Sequence, residues 1–293
     1  MWRLPKRWVR RREPELRRRR AAYALPTLFT AGNLFLGFLA IVKSLQGALA
    51  ASANLGPNPH LELAAKAIGV AVVLDGLDGR IARLTHTVSD FGRELDSLSD
   101  LITFGLAPAV LALVWGVQFA AADAPVPAQH LMTAGYFVAF LYLLCGAARL
   151  ARFNVQVNPV PKNPGRPDRK YFVGLPIPGA AALVAAVVYA CDAAPLENWL
   201  WATLWMVLLA MLGFLMVSTW RYRSFKEFGL LRPRSPLTVV LFGSLIYILW
   251  FYTQPVLLGM AAAYVGSGMA VRAGGLVKRW WRPASPGAER QIG

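Results

Sequence analysis

Carboxylates are scarce in this chain. Asp and Glu number 15 of 293 residues against 31 Lys and Arg, and only 16% of the chain is charged. A soluble domain of this length carries about 25% charged residues, so that class is excluded. Cysteine is nearly absent. Cys145 and Cys191 stand in or at the ends of apolar segments, without metal-ligand spacing. That excludes a disulfide framework and a cysteine-based metal site, and leaves them as small apolar residues. The three histidines, His60, His86 and His130, are scattered, and no Ser/His/Asp triad or cysteine nucleophile is apparent. No short apolar core with a small-residue cleavage site stands near the N-terminus, so no cleavable signal peptide is expected. Short alternating segments of the β-barrel type are also missing.

Long apolar runs are abundant. Hydrophobic residues make up 56% of the chain and the mean hydropathy is +0.45. Spanning a bilayer takes about 20 mostly apolar residues. The chain offers eight such segments, near 27–48, 63–83, 97–120, 131–151, 172–192, 198–218, 237–252 and 255–272. The fold class expected is an all-α, polytopic membrane helix bundle. Four regions follow: a basic segment over 1–24, a membrane core over 25–236, two additional spans over 237–272, and a basic tail over 273–293.

Charge orients the bundle. Residues 1–20 hold ten Lys/Arg. With the N-terminus in the cytoplasm, the outer loops 49–62, 121–130, 193–197 and 253–254 contain no Lys or Arg. The inner loops carry Lys162, Arg166, Arg169, Lys170, Arg221, Arg223, Lys226, Arg232 and Arg234, and the tail adds Lys278, Arg279 and Arg282. This is a positive-inside pattern, with both termini cytoplasmic. Basic stretches placed between spans fit an anionic bilayer surface, so the net charge of +16 is not read as a nucleic-acid site.

The few acids are concentrated. Six of the 15 fall in "DGLDGRIARLTHTVSDFGRELDSLSD", residues 75–100, on the cytoplasmic side, where the second span ends and the third begins. Asp75 and Asp78 are three apart and Asp96 and Asp100 four apart, so each pair shares a helix face. A turn near 85–92 would bring the pairs together. Four facing carboxylates repel in a low dielectric and call for cations. Arg80, Arg83 and Arg93 supply some balance. All-oxygen ligation suits Mg²⁺, Mn²⁺ or Ca²⁺, and two such ions a few ångströms apart serve phosphoryl transfer. The small residues Gly76, Gly79, Ala82 and Gly92 allow either helix packing or ligand approach to the backbone. A proton- or cation-coupled transporter is the other reading of intramembrane acids, although such acids usually sit at mid-membrane on several helices.

The spacing Asp75-x2-Asp78-Gly79-x2-Ala82-Arg83-x8-Gly92-x3-Asp96-x3-Asp100 resembles the motif of the CDP-alcohol phosphatidyltransferases, with all eight motif positions filled. "LDSLSDLITFGLAPA" (95–109), "AARLARFNV" (147–155), "YFVGLPIPGAA" (171–181), "STWRYRSFKEF" (218–228) and "LPTLFTAGNLFLGF" (25–38) look like the phosphatidylserine synthase subgroup. The first span departs from that pattern: where Pro-Asn-x-x-Thr is common, this chain has Pro26-Thr27-Leu28-Phe29-Thr30.

The resemblance implies a six-helix core, usually a homodimer, in the cell (inner) membrane of a prokaryote with its site facing the cytoplasm. It implies CDP-diacylglycerol as donor and L-serine as acceptor. Two divalent cations would be held by Asp75, Asp78, Asp96 and Asp100, with Asp100 also the general base. Gly79, Ala82, Arg83 and Gly92 would accommodate the donor, with Thr30, Asn33 and Ser89 as further nucleotide candidates. Thr30 and Asn33 are equally compatible with helix–helix hydrogen bonding. The carboxylate of serine needs a cation, and Arg149 and Arg152 near the end of the fourth span suit it, with Asn154 beside them. Both arginines also fit the role of interface anchors. Another acceptor, such as glycerol 3-phosphate or inositol phosphate, remains open and would want a more basic pocket.

Overall fold

The computed structural model describes residues 6–52, 55–85, 90–120, 128–157, 171–223, 243–244, 248 and 251–280. The described residues are almost entirely helical. Helix α1 runs unbroken over Lys6–Ala51 and α2 over Pro59–Thr85. Next come α3 (Asp90–Asp100), a π-helical turn (Leu101–Leu106) and α4 (Ala107–Gly116), together one long rod. Then follow α5 (Ala128–Val157), β1 (Tyr171–Val173), α6 (Ile177–Ala190), α7 (Trp199–Val217), β2 (Arg221–Arg223) and α8 (Thr253–Trp280). The two strands pair antiparallel, with Tyr171 opposite Arg223 and Val173 opposite Arg221.

The turn between α1 and α2 is built around one asparagine. Buried Asn58 donates its side-chain N–H to the Gly47 carbonyl at 2.9 Å. Its Oδ1 accepts the backbone N–H groups of His60 (3.0 Å) and Leu61 (3.3 Å). It is therefore an N-cap, with Pro59 in the first helical position, where its missing N–H costs nothing. Gly47 is needed because a Cβ there would stand 2.6 Å from Leu61 Cγ. The pair α1–α2 is thereby fixed as an antiparallel hairpin.

The rod's π turn also has a local cause. Pro108 lacks the N–H that would reach the Phe104 carbonyl in an α-helix. That carbonyl instead accepts the hydroxyl of fully buried Tyr142, on α5, at 3.1 Å. The core surrounds this point, with Phe104, Leu111, Trp115, Ile177, Leu212, Leu215 and Met216 all sealed from solvent. At the far end Trp115 and Trp205 meet edge to face at 4.9 Å, and Trp205 donates to the Ala112 carbonyl at 3.0 Å.

Outside the core the helices stay apolar. Phe35, Phe38, Val73, Phe137, Phe140, Trp201, Leu204 and Phe214 are all exposed, an arrangement that suits lipid as the solvent and not water. Four helical stretches among the described residues are long and apolar enough to cross a bilayer: Leu28–Ala51, Phe91–Gly116, Gln129–Val155 and Trp199–Val217. This is the expected membrane helix bundle.

Several boundaries differ from the sequence expectation. The basic segment 1–24 does not end in a break, since α1 continues from Lys6 into the first span. The span expected over 172–192 is a helix of only 14 residues, about 21 Å long. Its entry is occupied by strand β1, by Gly174 at φ +79° and by Pro176. Residues 253–254, expected as a loop, form the first turn of α8. Most of the expected span 237–252 lies outside the described residues. Cys191 is exposed just past α6 and Cys145 is half-buried, so only the latter fits the apolar reading.

Candidate active site

Hairpin α1–α2 and the rod meet at the end where α2 and α3 approach each other. Asp75 on α2 and Asp96 and Asp100 on α3 each offer a carboxylate oxygen, all within 4.8 Å of one another, and all three residues are half-buried. Asp96 and Asp100 lie one turn apart on one face of α3. The antiparallel approach of α2 adds Asp75. Three carboxylates this close repel unless cations or protons intervene. Their hard oxygens and partial exposure fit a divalent cation of the Mg²⁺, Mn²⁺ or Ca²⁺ class.

The motif's remaining members are only partly visible. Asp78, Gly79, Ala82 and Arg83 belong to the last two turns of α2, and their side chains lie outside the described residues. Ser89 lies outside them entirely. Gly92 is half-buried in the first turn of α3. Gly76 is informative: a Cβ there would meet no atom within 4 Å. Close packing among the described residues therefore does not explain that glycine.

Thr30 and Asn33 face the rod. Both are buried on α1. The Ser99 hydroxyl donates to the Thr30 carbonyl at 3.3 Å, and the Thr103 hydroxyl donates to the Asn33 carbonyl at 3.0 Å. Asn33 Nδ2 donates to Asp100 Oδ1 at 3.4 Å. The approach of α1 depends on Gly37, where a Cβ would lie 2.8 Å from Thr103 Cα. Of the two roles open to Thr30 and Asn33, helix–helix contact is the one visible here.

Arg149, Arg152 and Asn154, on the last turns of α5, stand at the same end. Arg149 Nη1 donates to the Met216 carbonyl at 3.5 Å, and Arg152 Nη1 to the Val217 carbonyl at 3.0 Å. Those carbonyls end α7, where intrahelical partners run out and cations are favoured. Asn154 Nδ2 donates to Ser97 Oγ at 3.0 Å. The Ser97 hydroxyl itself lies 3.1 Å from the Arg93 carbonyl. Asn154 is thus tied to the residue after Asp96. Gly174 closes this corner. Its N–H donates to the Trp220 carbonyl at 2.7 Å, and the next N–H, of Leu175, to the Leu215 carbonyl at 3.0 Å.

Sequence reasoning did not single out Ser97, Ser99, Thr103 or Gly174 as supports of the site. A signal existed for the first three: they are the small hydroxyl residues beside and just after the acids of the rod, and Ser99 and Thr103 are four apart on one face.

Comparison with known proteins identifies the family. Residues 23–215 match the family described as CDP-alcohol phosphatidyltransferase. The chain is 33% identical over 243 residues to the CDP-diacylglycerol–serine O-phosphatidyltransferase of Helicobacter pylori strain 26695, covering 83% of this chain and 89% of that protein. The Bacillus subtilis protein of that name is 30% identical over 207 residues, covering 69% of this chain and 92% of its own. The Saccharomyces cerevisiae one is 40% identical over 157 residues, covering 54% and 50%. The match spans the acid hairpin, the rod and α5 to α7, and the chain belongs to the CDP-alcohol phosphatidyltransferase family.

Proposed function

We propose that this protein transfers the phosphatidyl group of CDP-diacylglycerol to the hydroxyl of L-serine, releasing phosphatidylserine and CMP. The observation that carries the reading is the cluster of Asp75, Asp96 and Asp100, carboxylates from two helices gathered within 4.8 Å. The acceptor is supported by relatives such as the Helicobacter pylori protein, whose name specifies serine and which aligns over 83% of this chain.

Asp75, Asp78, Asp96 and Asp100 would hold two divalent cations. When bound, these would clamp the donor pyrophosphate and offset the charge on departing CMP. Asp100 takes the proton of the serine hydroxyl, because a hydroxyl is a weak nucleophile until a base within hydrogen-bond reach removes its proton. The new bond joins the serine oxygen to the lipid-side phosphorus. The bond that breaks joins that phosphorus to the bridging oxygen, which leaves with CMP. Gly79 and Ala82 give room to the cytidine, and Arg83 meets the donor phosphates. Arg149 and Arg152 attract the serine carboxylate with guanidinium donors other than those turned to α7. The site and both termini face the cytoplasm, as the charge of the loops requires. Residues 25–236 form the catalytic core, 237–272 add two membrane helices, and the chain works as a homodimer.

The test is CMP release by purified protein supplied with CDP-diacylglycerol, Mn²⁺ or Mg²⁺, and one acceptor at a time. Release with L-serine supports the reading. Release only with glycerol 3-phosphate or inositol phosphate replaces the acceptor. No release with any acceptor, together with metal flux into liposomes, would replace the enzyme by a transporter.

A further inference from the structure

Asn33 holds an unusual position for an amide. It is 2% exposed on α1, and among the described residues its buried Oδ1 has no hydrogen-bond partner. Buried acceptors left unpaired are disfavoured and uncommon. Docking α1 against the rod does not require this side chain. The carbonyls of Thr30 and Asn33 already accept the Ser99 and Thr103 hydroxyls, and Gly37 already lets the backbones approach. A leucine at position 33 would be of similar size and leave no orphaned oxygen. What the amide adds is one donor, Nδ2, 3.4 Å from Asp100 Oδ1.

We propose that Asn33 is a positioning residue for Asp100: its amide N–H holds one carboxylate oxygen, fixing the carboxylate plane and so the second oxygen relative to Asp75 and Asp96. This rests on the reading above, in which Asp100 takes the acceptor proton, and it replaces a direct contact between Asn33 and the nucleotide. A reacting carboxylate gains from being held before substrate arrives, because proton transfer depends on geometry first. Folding tolerates the unpaired Oδ1 to keep that donor in place.

The experiment compares wild type, Asn33→Leu and Asn33→Val in the CMP-release assay, and follows melting of metal-free protein in detergent with EDTA. Asn33→Leu is expected to lower kcat about tenfold, the scale of one hydrogen bond made to a reacting group. KM for donor and for serine should stay within about twofold, and the metal-free Tm should equal or exceed that of wild type. Asn33→Val removes the same N–H without adding a charge or a proton donor beside Asp100, so it must also lose kcat. If Asn33→Leu does not fold, Asn33→Val alone decides. Full kcat in either folded variant overturns the proposal. So does a raised donor KM at unchanged kcat, which would mark a nucleotide contact, or a kcat loss that tracks a fall in metal-free Tm, which would mark a packing role. If wild type itself releases no CMP with serine, the functional reading falls and this one with it. If wild type is active and Asn33→Leu equals it, only this one falls.

Discussion

Replacing Gly174 by alanine should loosen the corner where α5, α6, α7 and the strand pair meet. The residue has φ +79°, a left-handed conformation that costs an L-residue about 1–2 kcal/mol. The added Cβ would stand 2.6 Å from the Met216 carbonyl oxygen, 2.9 Å from that of Ser218 and 2.8 Å from Arg149 Nη1. The two carbonyls belong to the end of α7 and cannot yield as a side-chain tip can, so overpacking adds about 1–3 kcal/mol. The sum is about 2–5 kcal/mol. At about 2–4 °C per kcal/mol for a chain somewhat shorter than this one, Tm should fall by at least about 4 °C. The assay is thermal melting of purified protein in one detergent, read by intrinsic tryptophan fluorescence and by loss of CMP release. The guanidinium of Arg149 must move as well, so KM for serine should rise more than KM for the donor if Arg149 meets the acceptor. A Gly174→Ala protein melting within about 1 °C of wild type would refute the packing argument. An unchanged serine KM in a protein with lowered Tm would keep the packing and remove Arg149 from the acceptor site.

Asp100→Asn should abolish turnover while leaving donor binding mostly intact, measured by CMP release and by equilibrium binding of CDP-diacylglycerol; substantial residual activity would remove Asp100 as the base. Ser97→Ala and Asn154→Ala should each raise the Mn²⁺ concentration needed for half activity, because their 3.0 Å hydrogen bond ties α5 to α3 beside Asp96. The double variant should be no worse than about the larger single effect, as for partners in one bond, whereas a rise confined to serine KM in Asn154→Ala would make Asn154 an acceptor contact. Tyr142→Phe strips the Phe104 carbonyl of its hydroxyl donor and should cost about 1–3 kcal/mol, the scale for stranding a buried polar group, visible as a lowered Tm with KM values unchanged.

What the sequence made legible was whatever depends on spacing within one helix or one hairpin. Three- and four-residue separations put Asp75 and Asp78, and Asp96 and Asp100, on common faces, and a turn between them was expected to oppose the pairs. Asp75, Asp96 and Asp100 do converge within 4.8 Å. The partners of Arg149, Arg152 and Asn154 were not legible, because each lies far along the chain: Arg152 meets the carbonyl 65 residues on, and Asn154 meets a serine 57 residues back. No local pattern states where α7 ends relative to α5. The π turn after Asp100 was hidden for a similar reason. "LITFGLAPAV" reads as continuous helix, and the donor that satisfies Phe104 comes from α5, 38 residues on.

The short α6 is a different case, since its cause was in view. In "YFVGLPIPG" a glycine and two prolines interrupt the apolar run that was read as a span from 172. Glycine and proline punctuate structure more strongly than hydropathy sustains it. Pro176 at ψ 139° is the N-cap, and Pro178 fits the first turn because its missing N–H has no intrahelical role there. A window averaged over about 20 residues hides such punctuation. Here that hidden stretch is also the junction that receives Arg149 and the end of α7, so the hydropathy reading lost an element boundary and a support of the site together.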